Sequence, residues 1–312
     1  MSPADPPIDI RAALKQGLAQ LRAAKIPSHT LAAEVLLMHA LGRDRGWMYS
    51  HHEEILDPAV AQEYFGLIAR RATGEPTQYL TGHQEFWGLD FEVTPAVLIP
   101  RPETEHVMEV ALARLGERGL KIHLDSGARR DPLHLADVGT GSGCLAVALA
   151  YELPHAEIIA TDISSAALEV ARRNATRLSV PPHDIASRIH FIETDLLPPL
   201  PANNQSPVFD LIVSNPPYIA DSESATLQRE VRDHEPHPAL FAGPTGTEIY
   251  TRLVAQAARQ LRDRGILVLE LGHNSAEPVR ALFDAAPSSW TNVSLTLDLS
   301  GIPRVLAAER VR

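Results

Sequence analysis

The run Leu133-His134-Leu135-Ala136-Asp137-Val138-Gly139-Thr140-Gly141-Ser142-Gly143-Cys144 decides the reading of the fold. Its first half is a short apolar stretch that ends in turn residues, the signature of a buried strand. Its second half places glycines at alternate positions, and an Ala/Leu helix follows from Cys144 to Tyr151. Glycines at a strand-to-helix turn let the backbone bend tightly and come close to a ligand. Free amide groups where the helix opens favour a carboxylate or a phosphate.

Outward from that turn, helix and strand alternate. Glu157 to Asp162, Arg188 to Glu193, Phe209 to Ser214 and Gly265 to Leu271 read as strands, with helices over Ser164 to Leu178 and Thr247 to Arg262. Val293 to Leu297 and Arg304 to Ala308 suggest a terminal antiparallel pair. Such alternation predicts an α/β domain, a mostly parallel, Rossmann-like sheet covered on both faces. Asp162 ends the strand after the glycine turn, where an acidic side chain takes ribose hydroxyls. A nucleoside-bearing cofactor fits. The dinucleotide fingerprint needs a glycine where Cys144 stands. The spacing of Gly139, Gly141 and Gly143 instead resembles motif I of class I methyltransferases. That resemblance implies S-adenosylmethionine as cofactor, with S-adenosylhomocysteine as product, and gives Asp195, after the third strand, the adenine amino group. Cys144 could be a thiolate at a helix start, but no catalytic histidine pattern accompanies it, and it reads as a small buried side chain.

Ser214-Asn215-Pro216-Pro217-Tyr218 follows the fourth strand, whose carboxyl end faces the same crevice. Successive prolines remove two backbone donors and fix the chain. What remains is carbonyl oxygens and the Asn215 amide, which accept hydrogen bonds from a planar N–H₂ group. Tyr218 offers that group a flat apolar face. Holding both N–H bonds, on Asn215 and the Pro216 carbonyl, would orient a poorly nucleophilic nitrogen and favour the positive charge that grows on it. This chemistry suits glutamine and adenine equally.

Residues 1–80 read as a small helical bundle. Ile10, Ala13, Leu14, Gly17, Leu18 and Leu21 fall on one helix face. Ser28 is the expected N-cap of a second helix whose apolar face is Leu31, Val35, Met38 and His39, flanked by Leu36 and Leu37, and Gly42 ends it. Asp57-Pro58 starts another helix, carrying Tyr64, Phe65, Leu67 and Ile68. The bundle's charges read as a solvated face. Residues 81–100, with Phe86 to Val93 around Gly88-Leu89-Asp90, suggest a hairpin linking the bundle to the catalytic domain expected over 101–312. Leu115 to Pro132 and Leu197 to Pro207 read as loops.

Composition bounds the rest. The formal net charge is −11, which disfavours direct binding of DNA. A single cysteine excludes an internal disulfide and a cysteine metal cluster. The nearest histidine pairs, His51-His52 and His234 with His237, adjoin no carboxylate cluster, so no metal is expected. No apolar run reaches the ~18 residues of a membrane helix, and residues 1–10 carry no targeting pattern, so a cytoplasmic address is expected.

Further stretches carry a fuller resemblance. Gly74-Glu75-Pro76, Glu85-Phe86-Trp87-Gly88, Leu98-Ile99-Pro100-Arg101-Pro102-Glu103-Thr104-Glu105, the glycine loop, Asn215 to Tyr218, Glu235-Pro236 with Ala239-Leu240, and Asp298 to Arg304 span nearly the whole chain. Together they resemble the release factor glutamine methyltransferase family of HemK-type enzymes. The resemblance implies that the acceptor is the glutamine amide in the Gly-Gly-Gln loop of class I peptide chain release factors, that methylation modulates translation termination, and that the helical domain contacts the factor. It implies a cofactor site of Gly139, Thr140, Gly141, Ser142, Gly143, Asp162, Asp195 and Leu196, with Asn215 touching both ligands and Pro216, Pro217 and Tyr218 touching the glutamine. Asn215, Pro216 and Tyr218 would be the catalytic set, and Arg101 and Glu103 would lie near the pocket. Leu196 stands where some relatives carry an aromatic residue, so packing on adenine there would be apolar. Glu235-Pro236-His237-Pro238 reads as a loop over the acceptor site that closes on substrate. A DNA adenine methyltransferase, which would need a basic face and a recognition domain, and a non-catalytic binding module are the rival readings.

Overall fold

The computed structural model describes residues 7–119, 132–181, 183–200 and 208–311. Residues 1–6 and most of the loops expected over Leu115 to Pro132 and Leu197 to Pro207 lie outside the described residues.

The chain divides into two compact units: residues up to His83 together with Gln228–His234, and the remainder. The first unit is helical: α1 (Ile10–Ala23), α2 (His29–Leu41), α3 (Arg45–Ser50), α4 (Pro58–Ala72) and α5 (Thr77–Thr81). Asp9 caps α1 by accepting from the Ala12 amide at 2.6 Å, and Asp57 caps α4 from Ala59 at 2.8 Å, with Pro58 at the first helical position. Ser28 occupies the N-cap of α2 but makes no side-chain cap bond, because its backbone is left-handed (φ 49°). Gly42 ends that helix in the left-handed conformation, as expected.

The buried face of α2 holds the flanking Leu36 and Leu37 but is otherwise turned from the expected one. Leu31 is exposed and His39 too, while Ala32, Ala33, Glu34, Leu36 and Leu37 are buried. Most positions of α2 are apolar, so periodicity alone does not fix which stripe turns inward. Glu34 is tolerated because α3 satisfies it: Arg45 donates to one carboxylate oxygen at 2.5 Å and the Tyr49 hydroxyl to the other at 2.6 Å. Arg71 is a second exception to the solvated-face reading of the charges. It is buried, and donates to the Glu75 carbonyl at 3.0 Å and to Glu230 at 2.5 Å. Gly17 also has a steric reason. A Cβ there would sit 2.1 Å from the buried Tyr64 hydroxyl.

The second unit contains β1 (His83–Phe86) and β2 (Leu89–Glu92), which pair as the expected hairpin. The turn falls on Trp87-Gly88, one residue earlier than expected, with φ of 55° and 71°. Both central residues are left-handed, as a type I′ turn requires. Trp87 accepts the strain because its amide reaches Glu105 at 2.8 Å and its ring nitrogen Glu152 at 2.9 Å. Then come α6 (Glu105–Glu117), β3 (Leu133–Val138), α7 (Cys144–Glu152), β4 (Ala156–Asp162), α8 (Ser165–Leu178), β5 (Ile189–Glu193), β6 (Phe209–Ser214) and β7 (Ile219–Ala220). Leu115 to Glu117 therefore finish a helix rather than open a loop. The helix α9 (Arg229–His234) belongs to the first unit. The second resumes with α10 (His237–Leu240), β8 (Phe241–Gly243), α11 (Glu248–Gln260), β9 (Leu261–Glu270), α12 (Ala276–Asp284), β10 (Trp290–Leu297) and β11 (Pro303–Arg310).

Seven strands form one sheet in the order β10-β11-β9-β6-β3-β4-β5. The five from β9 to β5 are parallel, and β11 lies antiparallel between β9 and β10. The mostly parallel sheet is the one expected from the alternation, and with its antiparallel last strand it is the class I methyltransferase arrangement that the resemblance implies. Apolar clusters cover both faces, one built on α6 and α7 and the other on α11 and α12. The short apolar strands need this double cover, which is why they read as continuous runs rather than alternating ones.

Candidate functional site

Parallel strands put their carboxyl ends on one edge. Val138 pairs with Thr161 and with Ser214, and Asp162 with Glu193, so β3, β4, β5 and β6 end nearly level. The chain leaves β3 for β4 on one side and later fills β6 on the other. A crevice opens at such a reversal of strand order, and ligands of open α/β sheets bind there.

The glycine loop is shaped by its backbone. Gly139, Gly141 and Gly143 have φ of 74°, 53° and 83°. The Gly139 and Thr140 amides both donate to the Thr161 carbonyl, at 2.9 and 2.8 Å, which pins the turn to β4. A Cβ on Gly141 would meet nothing within 4 Å, and one on Gly139 only the Asn215 carbonyl at 4.0 Å. Those two glycines thus face open space. A Cβ on Gly143 would lie 3.1 Å from the Ala171 side chain, so this glycine serves the packing of α8. Thr140 and Ser142 are turned inward and buried. The Thr140 hydroxyl donates to Asp137 at 2.6 Å, and the same carboxylate oxygen accepts from the Ala146 amide at 3.0 Å. Burial pushes the Asp137 carboxyl up to about 7 and the Cys144 thiol up to about 12. Cys144 is partly rather than fully buried and packs against the apolar cluster of α6 and α7 as a protonated thiol.

A cavity of about 330 Å³ stands at the strand ends. Gly139, Gly141 and Asp162 line it from β3 and β4, Asp195 and Leu196 from the turn after β5, and Asn215, Pro216 and Pro217 from the turn after β6. Asp162 accepts the Gly141 amide on one oxygen and the Ser164 amide on the other, both at 2.9 Å. Its pKa is raised, chiefly by burial, with those amide bonds opposing the rise. A carboxylate oxygen has two lone pairs, so each oxygen keeps one for a ligand hydroxyl. Leu196 is left-handed, at φ 67°. Asp195 is half-exposed at the cavity wall and accepts from Arg252, which lines the same wall. Two glycines without side chains, a carboxylate with free lone pairs and an apolar wall fit a nucleoside joined to an amino acid.

Asn215 lies between this cavity and the start of α6. Its side-chain nitrogen donates to the Thr104 hydroxyl at 3.2 Å, which leaves its side-chain oxygen as the acceptor. Pro216 is buried and Tyr218 partly buried. Tyr218 is absent from the cavity wall and is held between two glycines. A Cβ on Gly272 would lie 2.6 Å from its ring, and one on Gly246 would lie 2.7 Å from its carbonyl oxygen.

Of the residues placed near the pocket, Arg101 and Glu103 do not line it. Ala96, Val97 and Leu98, just before them, do. Arg101 instead donates to Glu235, whose side chain is only 1% exposed, and the Ile99 amide reaches the other Glu235 oxygen at 3.4 Å. Glu235 thereby ties down the segment that supplies Pro236 and Pro238 to the cavity wall. The His237 ring stacks on Phe241, 4.1 Å between centroids. Glu103 lies 4.0 Å from Arg304, which also donates to Asp298 at 2.8 Å. Sequence reasoning missed Thr104, Glu270 and Arg252. Glu270 had left a signal: it is the one charged residue in the apolar run Ile266 to Leu271.

Comparison with known proteins adds the following. Residues 12–82 match the family described as the PrmC N-terminal domain, and residues 119–233 match the methyltransferase small domain. The chain is 41% identical over 301 residues to a release factor glutamine methyltransferase of Koribacter versatilis, covering 96% of this chain and 98% of the relative. It is 42% identical over 294 residues to a protein of the same name from Chlorobaculum tepidum, covering 94% and 95%. Among solved structures, the hMettl16 catalytic domain in complex with MAT2A 3'UTR hairpin 1 is similar in fold. The TM-score is 0.53 at 17% identity, covering 79% of this chain and 83% of that one.

Proposed function

The chain belongs to the release factor glutamine methyltransferase family, and on that premise we propose that its cavity transfers a methyl group from S-adenosylmethionine to the glutamine amide in the Gly-Gly-Gln loop of class I peptide chain release factors. The observation that carries this reading is that Asn215 lines the same cavity as Gly139, Gly141 and Asp162. One residue can therefore face both the cofactor and the acceptor. When bound, S-adenosylmethionine supplies an electrophilic methyl group on a sulfonium.

This chain's residues do the rest. Gly139 and Gly141 leave room for the cofactor's amino-acid moiety, and Asp162 accepts from its ribose hydroxyls. Asp195 and Leu196 flank the adenine. The Asn215 side-chain oxygen and the Pro216 carbonyl accept the two N–H bonds of the glutamine amide. Pro217 and Tyr218 fix the shape of that turn. An amide nitrogen delocalises its lone pair into its own carbonyl and is a weak nucleophile. Two acceptors on its hydrogens favour the positive charge that grows as the new N–C bond forms. In-line placement supplies much of the remaining rate. The methyl's bond to the cofactor sulfur would break as the N–C bond forms, leaving S-adenosylhomocysteine, and the nitrogen would then lose one proton to water to give the neutral N-methyl amide.

An adenine in DNA offers a similar N–H₂ group, but a net charge of −11 repels a polyanion. The test is transfer of labelled methyl to duplex DNA, to a class I release factor, and to that factor with the loop glutamine replaced by alanine. Label is expected in the intact factor alone. Label in DNA, or undiminished label in the substituted factor, would overturn the reading.

A further inference from the structure

We infer that Arg101 and Glu235 are positioning residues: their ion pair clasps two distant segments into one wall of the cavity and so sets the affinity for S-adenosylmethionine. The inference rests on the reading of that cavity as the cofactor site. Ala96, Val97 and Leu98 line it from the segment that ends in Ile99, Pro100 and Arg101, and Pro236, Pro238 and Phe241 line it from the segment that starts at Glu235. Ile99 and Glu235 are 136 residues apart in the chain. Neither segment belongs to the parallel sheet, so the sheet does not fix where they stand.

One carboxylate joins them. Glu235 accepts from the Arg101 guanidinium on one oxygen and from the Ile99 amide at 3.4 Å on the other. These two donors flank Pro100, so the carboxylate fixes that segment in register as well as in position. On its own side, Glu235 is followed directly by Pro236, at φ −67°. The proline ring locks that angle. Holding Glu235 therefore carries over to the residues at the wall. The far end of the same stretch is held by packing, with Leu240 buried and the His237 ring stacked on Phe241.

Stability alone does not account for the pair. Burying two charges strips both of water, and well-packed apolar side chains of the same volume often stabilise a fold as well or better. What an ion pair adds is direction, since it holds only in one geometry. Here the Glu235 side chain is 1% exposed and that of Arg101 30%. If the pair breaks, the guanidinium can turn to water and the carboxylate cannot. With the pair intact, the wall stands formed before the cofactor arrives. Without it the two segments part for some of the time, and affinity falls by the fraction of time for which the wall is formed. The acceptor turn is carried by the end of β6 rather than by either segment, so the loss belongs to cofactor binding rather than to methyl transfer.

The test is calorimetric titration of Glu235→Gln with S-adenosylhomocysteine, well below the melting temperature of the variant. The affinity is expected to fall about tenfold, as for a wall formed about a tenth of the time. In turnover the loss should fall on KM for S-adenosylmethionine and not on KM for the release factor. Arg101→Lys, which keeps the charge, should retain most of the parent affinity. A lower melting temperature with unchanged affinity would make the pair merely structural and overturn the inference. Should Glu235→Gln fail to fold, the parent protein decides. Coupling is reciprocal, so a cofactor that needs the clasp must also strengthen it. Exchange of the Ile99 amide hydrogen is expected to slow on adding S-adenosylhomocysteine by more than exchange in β10 does, and equal slowing would overturn the inference. Gly141→Leu runs in the same titration. If it too binds as the parent does, the reading of the cavity falls as well; if it alone is impaired, only the role of Arg101 and Glu235 falls.

Discussion

Asn215→Ala is expected to slow methyl transfer by about two to three orders of magnitude, the range found when one pre-positioned polar group is removed from a charge-developing transition state. Affinity for S-adenosylmethionine should change little. The reason lies in when the hydrogen bond matters. In the ground state the glutamine amide nitrogen is close to neutral, and the Asn215 oxygen gains little from its hydrogens. As the N–C bond forms, the nitrogen becomes positive and the same hydrogen bond strengthens. An interaction that is stronger in the transition state appears in kcat rather than in binding. Single-turnover rates together with calorimetric titration of the cofactor separate the two. A variant that loses cofactor affinity in proportion to its rate would place Asn215 in binding alone.

Gly141→Leu should do the opposite and weaken binding of S-adenosylmethionine by about a hundredfold. Gly141 is left-handed, at φ 53°, and a Cβ there projects into open space at the cavity wall. Leucine in that conformation costs about 1–2 kcal/mol of backbone strain. Its side chain also takes volume that the cofactor needs, and crowding of this kind costs roughly 1–3 kcal/mol, where each 1.4 kcal/mol is about tenfold in affinity. Calorimetry reads the loss directly. Unchanged affinity would mean that the cofactor does not pass over this loop. The two variants form a pair, one expected to spare binding and lose rate, the other to lose binding.

The sheet was legible because its signals are local. Leu133 to Val138 and Phe209 to Ser214 are short apolar runs closed by turn residues, and they became β3 and β6 with those bounds. The terminal antiparallel pair was legible too, though β10 and β11 extend further than their most apolar residues. The helix Ala276–Asp284 was not assigned from sequence, since Pro278 lies in it and interrupts the pattern. A proline in the first turn of a helix removes no bond that would otherwise form. The inward stripe of α2 was misread because nearly every position on it is apolar. Glu34 and Arg71 could not have been expected inside, as their partners Arg45, Tyr49 and Glu230 are brought to them only by the fold.

At the site, the glycine loop, Asp162, Asp195 and Asn215 stand at the ends of β3 to β6, whereas Arg101 and Glu103 lie off the cavity wall. What the sequence hid is which way they point. Thr140 and Ser142 turn into the core and Tyr218 packs against Gly272, while Arg101 serves Glu235. Side-chain direction at a turn depends on contacts with distant segments, and a motif carries no record of them. Glu270 is the opposite case. A lone carboxylate in an apolar strand is a local anomaly, and the fold buries it at the end of β9.

The most direct test of the central claim is to locate the transferred methyl group. A class I release factor is incubated with the protein and S-adenosylmethionine, digested, and the peptide containing the Gly-Gly-Gln loop is fragmented in a mass spectrometer. The methyl group is expected on the side-chain nitrogen of that glutamine, and strongly reduced at early times when Asn215→Ala replaces the parent protein under the same conditions. A methyl group on another residue of the factor, or an unmethylated factor beside a methylated nucleic acid, would contradict the account.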